Sequence, residues 1–271
     1  MGLMRIVFRL SGFLGLVIVL VPIQSVLLFV PKLWPAIPLL FHRLMLKIMG
    51  VTLQVTGPLP KPGTLIVANH LSWFDIVVIG ALTPLSFVAK SEVRGWPLFG
   101  HLARLQHTVF VDRRRGRHNI TDGDTLMRRL EKGDSMVIFA EGTNADGIKV
   151  LPFKSTLLAG IASRPHIPVQ AMTMAYTRIH DIAMGRRQRT AYAWLGDISL
   201  IPHFLFMLAG PPLTVELVFH EPLALDHKNE RKEMTRLLHG QVARGLEAIT
   251  KQAPQSLPPV LAPLVKDAEK R

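Results

Sequence analysis

The sequence predicts an α/β protein whose largely parallel sheet is flanked by helices and preceded by an N-terminal hydrophobic membrane-anchoring segment. Three observations lead to this fold class. Short, continuously apolar runs recur after residue 50, and such runs are typical of strands buried on both faces. Helix-compatible stretches of about 8–15 residues separate most of these runs, which favours parallel strands joined by helices. The chain also begins with a long apolar run.

The N-terminal run is predicted to be a retained membrane anchor. Arg9 and Lys32 enclose 22 uncharged residues, 10–31, and a helix rising about 1.5 Å per residue would let this run cross a bilayer core of roughly 30 Å. A cleaved signal peptide is the alternative, but its apolar part would be about 7–15 residues long. Residues 33–41, broken by two prolines, predict an interfacial or re-entrant segment. Whether residues 10–31 span the bilayer or lie in its interface stays open.

The later apolar runs predict the strands of the sheet. They lie at residues 65–68, 87–89, 109–111, 136–139 and 168–172, with a late strand at 215–219. Apolar residues at helical spacing from Met234 to Ile249 then predict an amphipathic helix. Three regions follow: 1–49 as the anchor and interfacial segment, 50–252 as the α/β domain, and 253–271 as a loose, proline-rich tail.

Composition limits the chemistry. Lys and Arg total 32 and Asp and Glu total 19, so the net charge of +13 favours anionic lipid, phosphorylated substrates or nucleic acid. Because there is no cysteine, thiol nucleophiles, disulfides and cysteine-bound metals are excluded. The G-x-S-x-G and H-E-x-x-H signatures of serine hydrolases and zinc proteases are absent. With two tyrosines, no nucleic-acid motif and a strong anchor, no nucleic-acid partner is expected.

Residues 69–75 (N-H-L-S-W-F-D) follow the first apolar strand, where open α/β sheets place their ligand sites. In one continuous helix His70 and Asp75 would point about 140° apart. However, Ser72 and Asp75 resemble a helix capping pair, and an Asp75 side chain folded back over the helix start could reach the imidazole. The carboxylate would then orient His70 as a general base for a substrate hydroxyl. The spacing also fits a simple helix cap with an incidental histidine.

At these residues the chain resembles a known family. Residues 69–75 match the N-H-x-S-x-x-D form of the H-x-x-x-x-D motif of the glycerolipid acyltransferases, the 1-acyl-glycerol-3-phosphate (lysophospholipid) acyltransferase family. Further blocks follow in the family's order. Residues 107–113 resemble G-x-I-F-I-D-R, residues 139–144 resemble F-P-E-G-T-R, and residues 167–169 resemble V-P-I.

The resemblance implies transfer of a fatty acyl group from acyl-CoA or acyl carrier protein to the free hydroxyl of a lysolipid, with residues 50–252 as the catalytic domain. His70 would be the catalytic base and Asp75 its orienting partner. No cofactor or metal is implied. The residues expected to bind substrate are Arg113, Glu141, Gly142, Thr143, Asn144 and Lys154.

The same resemblance implies a setting for the reaction. The enzyme would work on membrane lipid at an anionic bilayer surface, at a bacterial inner membrane with its active site facing the cytoplasm. The alternative function is a membrane-associated lipid or thioester hydrolase, in which the same His/Asp pair would activate water.

The chain departs from the family pattern at three positions: His107 replaces Gly, Ala140 replaces Pro and Asn144 replaces Arg. The last departure bears on the acceptor, because a charge-assisted hydrogen bond from Arg to phosphate contributes about 1.5–3 kcal/mol and Asn lacks the charge. Segments 146–147, 151–155 and 176–180 are similar to the bacterial branch that includes lyso-ornithine lipid acyltransferases, whose acceptor carries no phosphate. Lysophosphatidate and lyso-ornithine lipid therefore both stay open as acceptors.

Two basic runs stand apart from these motifs. Residues 113–117 (R-R-R-G-R) could contact anionic lipid, the phosphates of CoA or an acidic carrier protein, or form a solvated loop. Residues 186–189 (R-R-Q-R) suggest no particular chemistry.

Overall fold

The computed structural model describes residues 2–30, 33–111, 120–196, 198–223 and 231–251, with the backbone alone at 120–124. Within these residues one sheet of eight strands forms. The strands are β1 Val51–Thr56, β2 Leu65–Ala68, β3 Ser86–Lys90, β4 Val109–Val111, β5 Met136–Phe139, β6 Val169–Ile179, β7 Ile182–Ala183 and β8 Leu213–Phe219. They follow the order β1-β8-β6-β2-β5-β3-β4, and β7 pairs with β6.

The sheet is mostly parallel, as predicted. Along the main path only the β6–β8 pair is antiparallel, and the short β7 is antiparallel to β6. All six predicted strands are present, but β1 and the short β7 are additional and β6 is longer than expected. Strand β1 (V-T-L-Q-V-T) lies at an edge and is half-exposed. Its polar and apolar residues alternate, so it lacks the continuous apolar run of a buried strand.

Helices cover both faces of this sheet. They are α1 Gly2–Leu27, α2 Ala36–Met49, α3 Phe74–Gly80, α4 Phe99–Leu105, α5 Ile120–Glu131, α6 Ala159–Ala162, α7 Arg186–Tyr192, α8 Leu200–Ala209 and α9 Arg231–Lys251, with 3-10 turns at Ser91–Gly95 and Ser155–Leu158. Ile66 and Ala68 point into a core with α2, α3 and α8. Leu65 and Val67 point into the opposite core with α5 and α9. This alternation follows from the two-residue period of a strand.

Helix α9 confirms the predicted amphipathic helix, because Met234, Leu238, Val242, Leu246 and Ile249 are all buried. The predicted loose tail, 253–271, lies outside the described residues.

Helix α1 lies along the rest of the protein. Arg9 is 5% exposed, and its guanidinium donates to the carbonyls of Leu208, Gly210 and Met49 at 2.9, 2.6 and 2.6 Å. Nearer the other end, the buried Gln24 amide donates to the carbonyls of Trp34 and Leu105. About 22 Å of helix separates these two attachment points.

Helices α1 and α2 therefore share a core with the sheet. Phe13 of α1 is buried in one cluster with Met45 and Met49 of α2 and with strand residues. The predicted boundary between residues 49 and 50 is therefore a change in amino-acid composition, and the helices before it pack against the sheet that follows. Helix α2 also replaces the broken segment expected at residues 33–41. Its Pro38 lies in the first helical turn, where a missing N–H removes no internal hydrogen bond.

Candidate active site

The loop between β2 and α3, residues 69–73, carries the predicted base, and its first residue is firmly held. The Asn69 side chain, 2% exposed, accepts from the backbone N–H of Met174 and donates to the carbonyl of Met174, both at 2.9 Å. These two hydrogen bonds continue the contact between β2 and β6 beyond Ala68, where the backbone pairing of the two strands ends. His70 is therefore placed at a defined point beyond the carboxyl end of β2.

The predicted pair of His70 and Asp75 is in direct contact. Nδ1 of His70 lies 2.7 Å from Oδ2 of Asp75. The backbone N–H groups of Leu71 and Ser72 donate to the same oxygen at 2.6 and 2.9 Å. The two side chains meet because α3 begins only at Phe74, which leaves His70 outside the helix and Asp75 in its first turn.

The predicted capping arrangement is present only in part. Asp75 folds back to the N–H of Ser72, as a capping box requires. However, Trp73 and not Ser72 immediately precedes the helix, and Ser72 Oγ accepts a long bond of 3.4 Å from the N–H of Phe74. The carboxylate of Asp75 is therefore the stronger cap of this helix start.

Tyr176 is a third member of this group that sequence reasoning missed. Its hydroxyl donates to Oδ1 of Asp75 at 2.5 Å, and neither side chain is exposed to solvent. Burial, followed by the negative charge of Asp75, holds the pKa of Tyr176 well above its usual value, so the hydroxyl stays protonated and remains a donor. Tyr176 lies 101 residues from Asp75, inside an apolar strand, and no local pattern connects the two.

The His70 imidazole is oriented on its second side by an aromatic ring. It stacks on Phe139 at the end of β5, with ring centroids 3.8 Å apart and planes 10° apart. The imidazole is 17% exposed whereas the Asp75 side chain is fully buried. With Nδ1 bound to the carboxylate, Nε2 is the nitrogen available to a substrate, as general-base chemistry requires.

Glu141 connects three loops of the site. It is 1% exposed, and its two oxygens accept from the backbone N–H of His70 at 2.9 Å and of Leu151 at 3.0 Å. The N–H of Ala145 in turn donates to the His70 carbonyl at 2.7 Å. These hydrogen bonds give Glu141 a positioning role, because they join the backbone at His70 to the backbone at Leu151. Its contact with substrate stays a prediction.

Burial raises the pKa of Glu141 from 4.5 to about 7, although the two N–H groups favour its ionised form. The folded protein therefore holds this proton more tightly than the unfolded chain does. We expect the free energy of unfolding to fall by about 3 kcal/mol between pH 4.5 and 7, because over this range the unfolded chain releases a proton that the folded protein keeps. In Glu141→Gln, which imitates the protonated acid, this decline should be absent.

Denaturant unfolding at a series of pH values measures this difference, with the exposed Glu221→Gln as a control that should follow the native curve. Equal pH dependence in the native protein and Glu141→Gln would show that folding does not raise the pKa of Glu141.

The other predicted substrate-binding residues occupy different environments. Gly142 is buried at a φ of 71°, a conformation that glycine adopts without strain, while Thr143 is exposed beside it. The Lys154 side chain is exposed, and its backbone N–H donates to Ala140. Arg113, together with the basic run 113–117, lies outside the described residues.

Asn144 has a contact that the sequence did not indicate. Its side-chain amide donates to the carbonyl of Trp194 at 2.7 Å. The N–H of Trp194 in turn donates to the carbonyl of Leu71 at 2.8 Å, and the Trp73 indole donates to His203 of α8 at 3.0 Å. The segment with α7 and α8 is thus joined to the β2–α3 loop, and Asn144 stabilises that junction.

The histidine–carboxylate pair beyond the carboxyl end of β2 has the geometry of a general base and its orienting partner. In the part of the chain that the structure describes, no three His, Asp or Glu side chains group as metal ligands would. The Acyltransferase family model matches residues 51–175. The chain belongs to this family of acyltransferases.

Named relatives support this membership. The chain is 38% identical to the lyso-ornithine lipid O-acyltransferase of Brucella abortus over 91% of this chain and 96% of that protein. It is 39% identical to the protein of the same name from Rhizobium meliloti, over 84% of this chain and 81% of the relative. A 1-acyl-sn-glycerol-3-phosphate acyltransferase of Neisseria gonorrhoeae is 32% identical over 63% of this chain and 65% of its own length.

A solved structure shares the fold. The 1-acyl-sn-glycerophosphate (LPA) acyltransferase from Thermotoga maritima superposes with a TM-score of 0.67 at 21% identity, over 94% of this chain and all of that one.

Proposed function

We propose that this acyltransferase moves a fatty acyl group from the thioester of acyl-CoA or acyl carrier protein to the free hydroxyl of a lysolipid. The contact between His70 and Asp75, with Nε2 left for substrate, carries this proposal. Nε2 takes the proton of the acceptor hydroxyl as its oxygen attacks the thioester carbonyl. The C–O bond forms, the C–S bond breaks, and the proton passes from His70 to the departing thiolate. The negative charge of Asp75 stabilises the imidazolium between these steps.

For the acceptor we propose lyso-ornithine lipid, with 1-acyl-glycerol-3-phosphate as the second candidate. Relatives named for the first acceptor match 91% and 84% of this chain at 38% and 39% identity. A relative named for the second matches 63% of the chain at 32% identity. Both acceptors present a free hydroxyl to the same base.

The test is acyl transfer by the purified protein in detergent, with radiolabelled acyl-CoA or acyl carrier protein and each lysolipid in turn. Labelled diacyl product that forms only with a lysolipid supports transfer. Labelled free fatty acid released at the same rate without a lysolipid would instead show the hydrolase that the His/Asp pair could also form.

We further propose that α1 attaches the enzyme to the membrane, in a bacterium the inner membrane with the site facing the cytoplasm. Of the described helices, α1 is the one long and apolar enough to cross a membrane. Its side opposite Arg9 and Gln24 exposes large apolar residues, among them Phe8 at 67% and Val19 at 58%. Because its other side is joined to the domain at two points, we propose that α1 lies with this exposed side in lipid.

Phe8→Asp combined with Val19→Asp should weaken membrane binding strongly. The two positions are eleven residues apart and share one side of the helix. Each buried side chain of this kind contributes about 1.5–3 kcal/mol, so binding to vesicles should fall at least tenfold. Co-sedimentation with phosphatidylglycerol vesicles measures the change, with the equally exposed Ile182→Asp as the control. Unchanged sedimentation of the double variant would place the membrane contact elsewhere.

A further inference from the structure

Helix α7, which carries the unassigned basic run 186–189, is held close to the catalytic pair. Tyr192 at its end packs edge-on against Tyr176, with ring centroids 6.3 Å apart. Tyr176 is the residue whose hydroxyl binds Asp75. Two residues after α7, Trp194 is hydrogen-bonded to Leu71 of the β2–α3 loop. The position of α7 relative to His70 is therefore set from two sides.

In α7, the side chain of Arg189 begins close to the β2–α3 loop. A Cβ built on Gly147 would stand 2.9 Å from Cδ2 of Leu71 and 3.8 Å from Cβ of Arg189. The turn at Gly147 is thus packed between the residue next to His70 and the side chain of Arg189. The same turn belongs to the segment whose Ala145 N–H binds the His70 carbonyl.

The charge of Arg189 is left without a counter-ion by the described residues. Its Nε is buried and has no hydrogen-bond partner among them. The nearby Asp146 uses its side chain to accept from the N–H groups of Ile148 and Lys149. Burial, and then the like charge of Arg186, lower the pKa of Arg189. A buried guanidinium N–H without a partner is costly, and an anion bound to it would relieve that cost.

We propose that Arg189 binds the anionic headgroup of the acceptor lipid, a carboxylate or a phosphate, at the mouth of the active site. This inference rests on the proposed function. The planar guanidinium presents paired N–H donors that match two oxygens of either group. The headgroup oxyanion would be held at Arg189 while the acceptor hydroxyl reaches Nε2 of His70. Asn144, whose amide is occupied by Trp194, would help to hold the segment that carries Arg189.

The proposal is tested by steady-state kinetics of Arg189→Gln and Arg189→Lys with the full-length protein in detergent. Lyso-ornithine lipid supplies the carboxylate, 1-acyl-glycerol-3-phosphate supplies the phosphate, and monoacylglycerol supplies a hydroxyl without an anion. Arg187→Gln, an exposed arginine of the same helix, is the matched control. Thermal unfolding of each variant checks that it is folded.

In Arg189→Gln, we expect the apparent KM for the anionic acceptor to rise about ten- to hundredfold, as loss of a charge-assisted hydrogen bond implies. Its kcat and the KM for the acyl donor should change little, and Arg189→Lys should recover part of the loss. A rise with one anionic acceptor alone identifies its headgroup as the ligand. The slow reaction with monoacylglycerol should be unaffected.

An unchanged KM for both anionic acceptors in folded Arg189→Gln, or an equal loss with monoacylglycerol, would overturn the proposal. A native protein that acylates none of the three lipids would instead refute the proposed function.

Discussion

His70→Ala is expected to abolish acyl transfer while the protein remains folded and bound to membranes. The imidazole is 17% exposed, and among the described residues its ring is hydrogen-bonded to Asp75. Its removal loses the stacking contact with Phe139 and this hydrogen bond, and the buried core of the sheet is left in place. The variant loses the group that takes the proton of the acceptor hydroxyl, and a positioned general base contributes about 10²–10⁴-fold to the rate.

Initial rates of labelled acyl transfer measure this loss, together with vesicle binding and thermal unfolding. The exposed His101→Ala is the matched control and should retain native activity. Normal turnover by a folded His70→Ala protein would refute the assignment of His70 as the base.

Asp75→Asn should lower the rate to a similar degree, by about 10²–10⁴-fold, because it removes the negative charge beside His70. Most hydrogen bonds can survive this change. The new carbonyl oxygen can occupy the place of Oδ2 and accept from His70, Leu71 and Ser72. The new amide can then donate to the Tyr176 hydroxyl, which rotates to accept. The expected loss of stability is accordingly only about 1 kcal/mol, the size of a weakened helix cap.

Kinetics and denaturant unfolding of the same Asp75→Asn preparation separate the two roles of this carboxylate. Tyr176→Phe is the companion variant, because it keeps the charge of Asp75 and removes one buried hydrogen bond. That variant should lose about 1–3 kcal/mol of stability and less of the rate than Asp75→Asn. If Asp75→Asn loses stability but no rate, Asp75 is a helix cap and not the partner of the base.

His70 and Asp75 could be identified from the sequence because they lie in one short segment. Five residues separate them, and the start of α3 lies between them, so local backbone geometry alone brings the side chains together. Several strands were predictable for a related reason. Buried parallel strands must be apolar on both faces, and that requirement is visible in consecutive residues. The edge strand β1 escapes this rule because one of its faces meets solvent.

Asn144 is a residue whose main contact could not be predicted from its local motif. Its place in a family block suggests a contact with the acceptor headgroup, whereas the structure joins its amide to Trp194, 50 residues later. Glu141 likewise has contacts that its motif did not indicate, since its two oxygens accept from N–H groups 71 and 10 residues away. A motif shows which residue is present but not which distant group it contacts.

The amino-acid sequence by itself determined six of the eight described strands, helix α9, the apolar character of the N-terminal segment and the His/Asp pair, because each depends on neighbouring residues. The order of strands within the sheet, the contact of Tyr176 with Asp75 and the position of Arg189 beside Gly147 were decided by the tertiary structure alone. The physical reason is that each of these contacts joins segments far apart in the chain. They form only when apolar burial on both faces of the sheet draws those segments together.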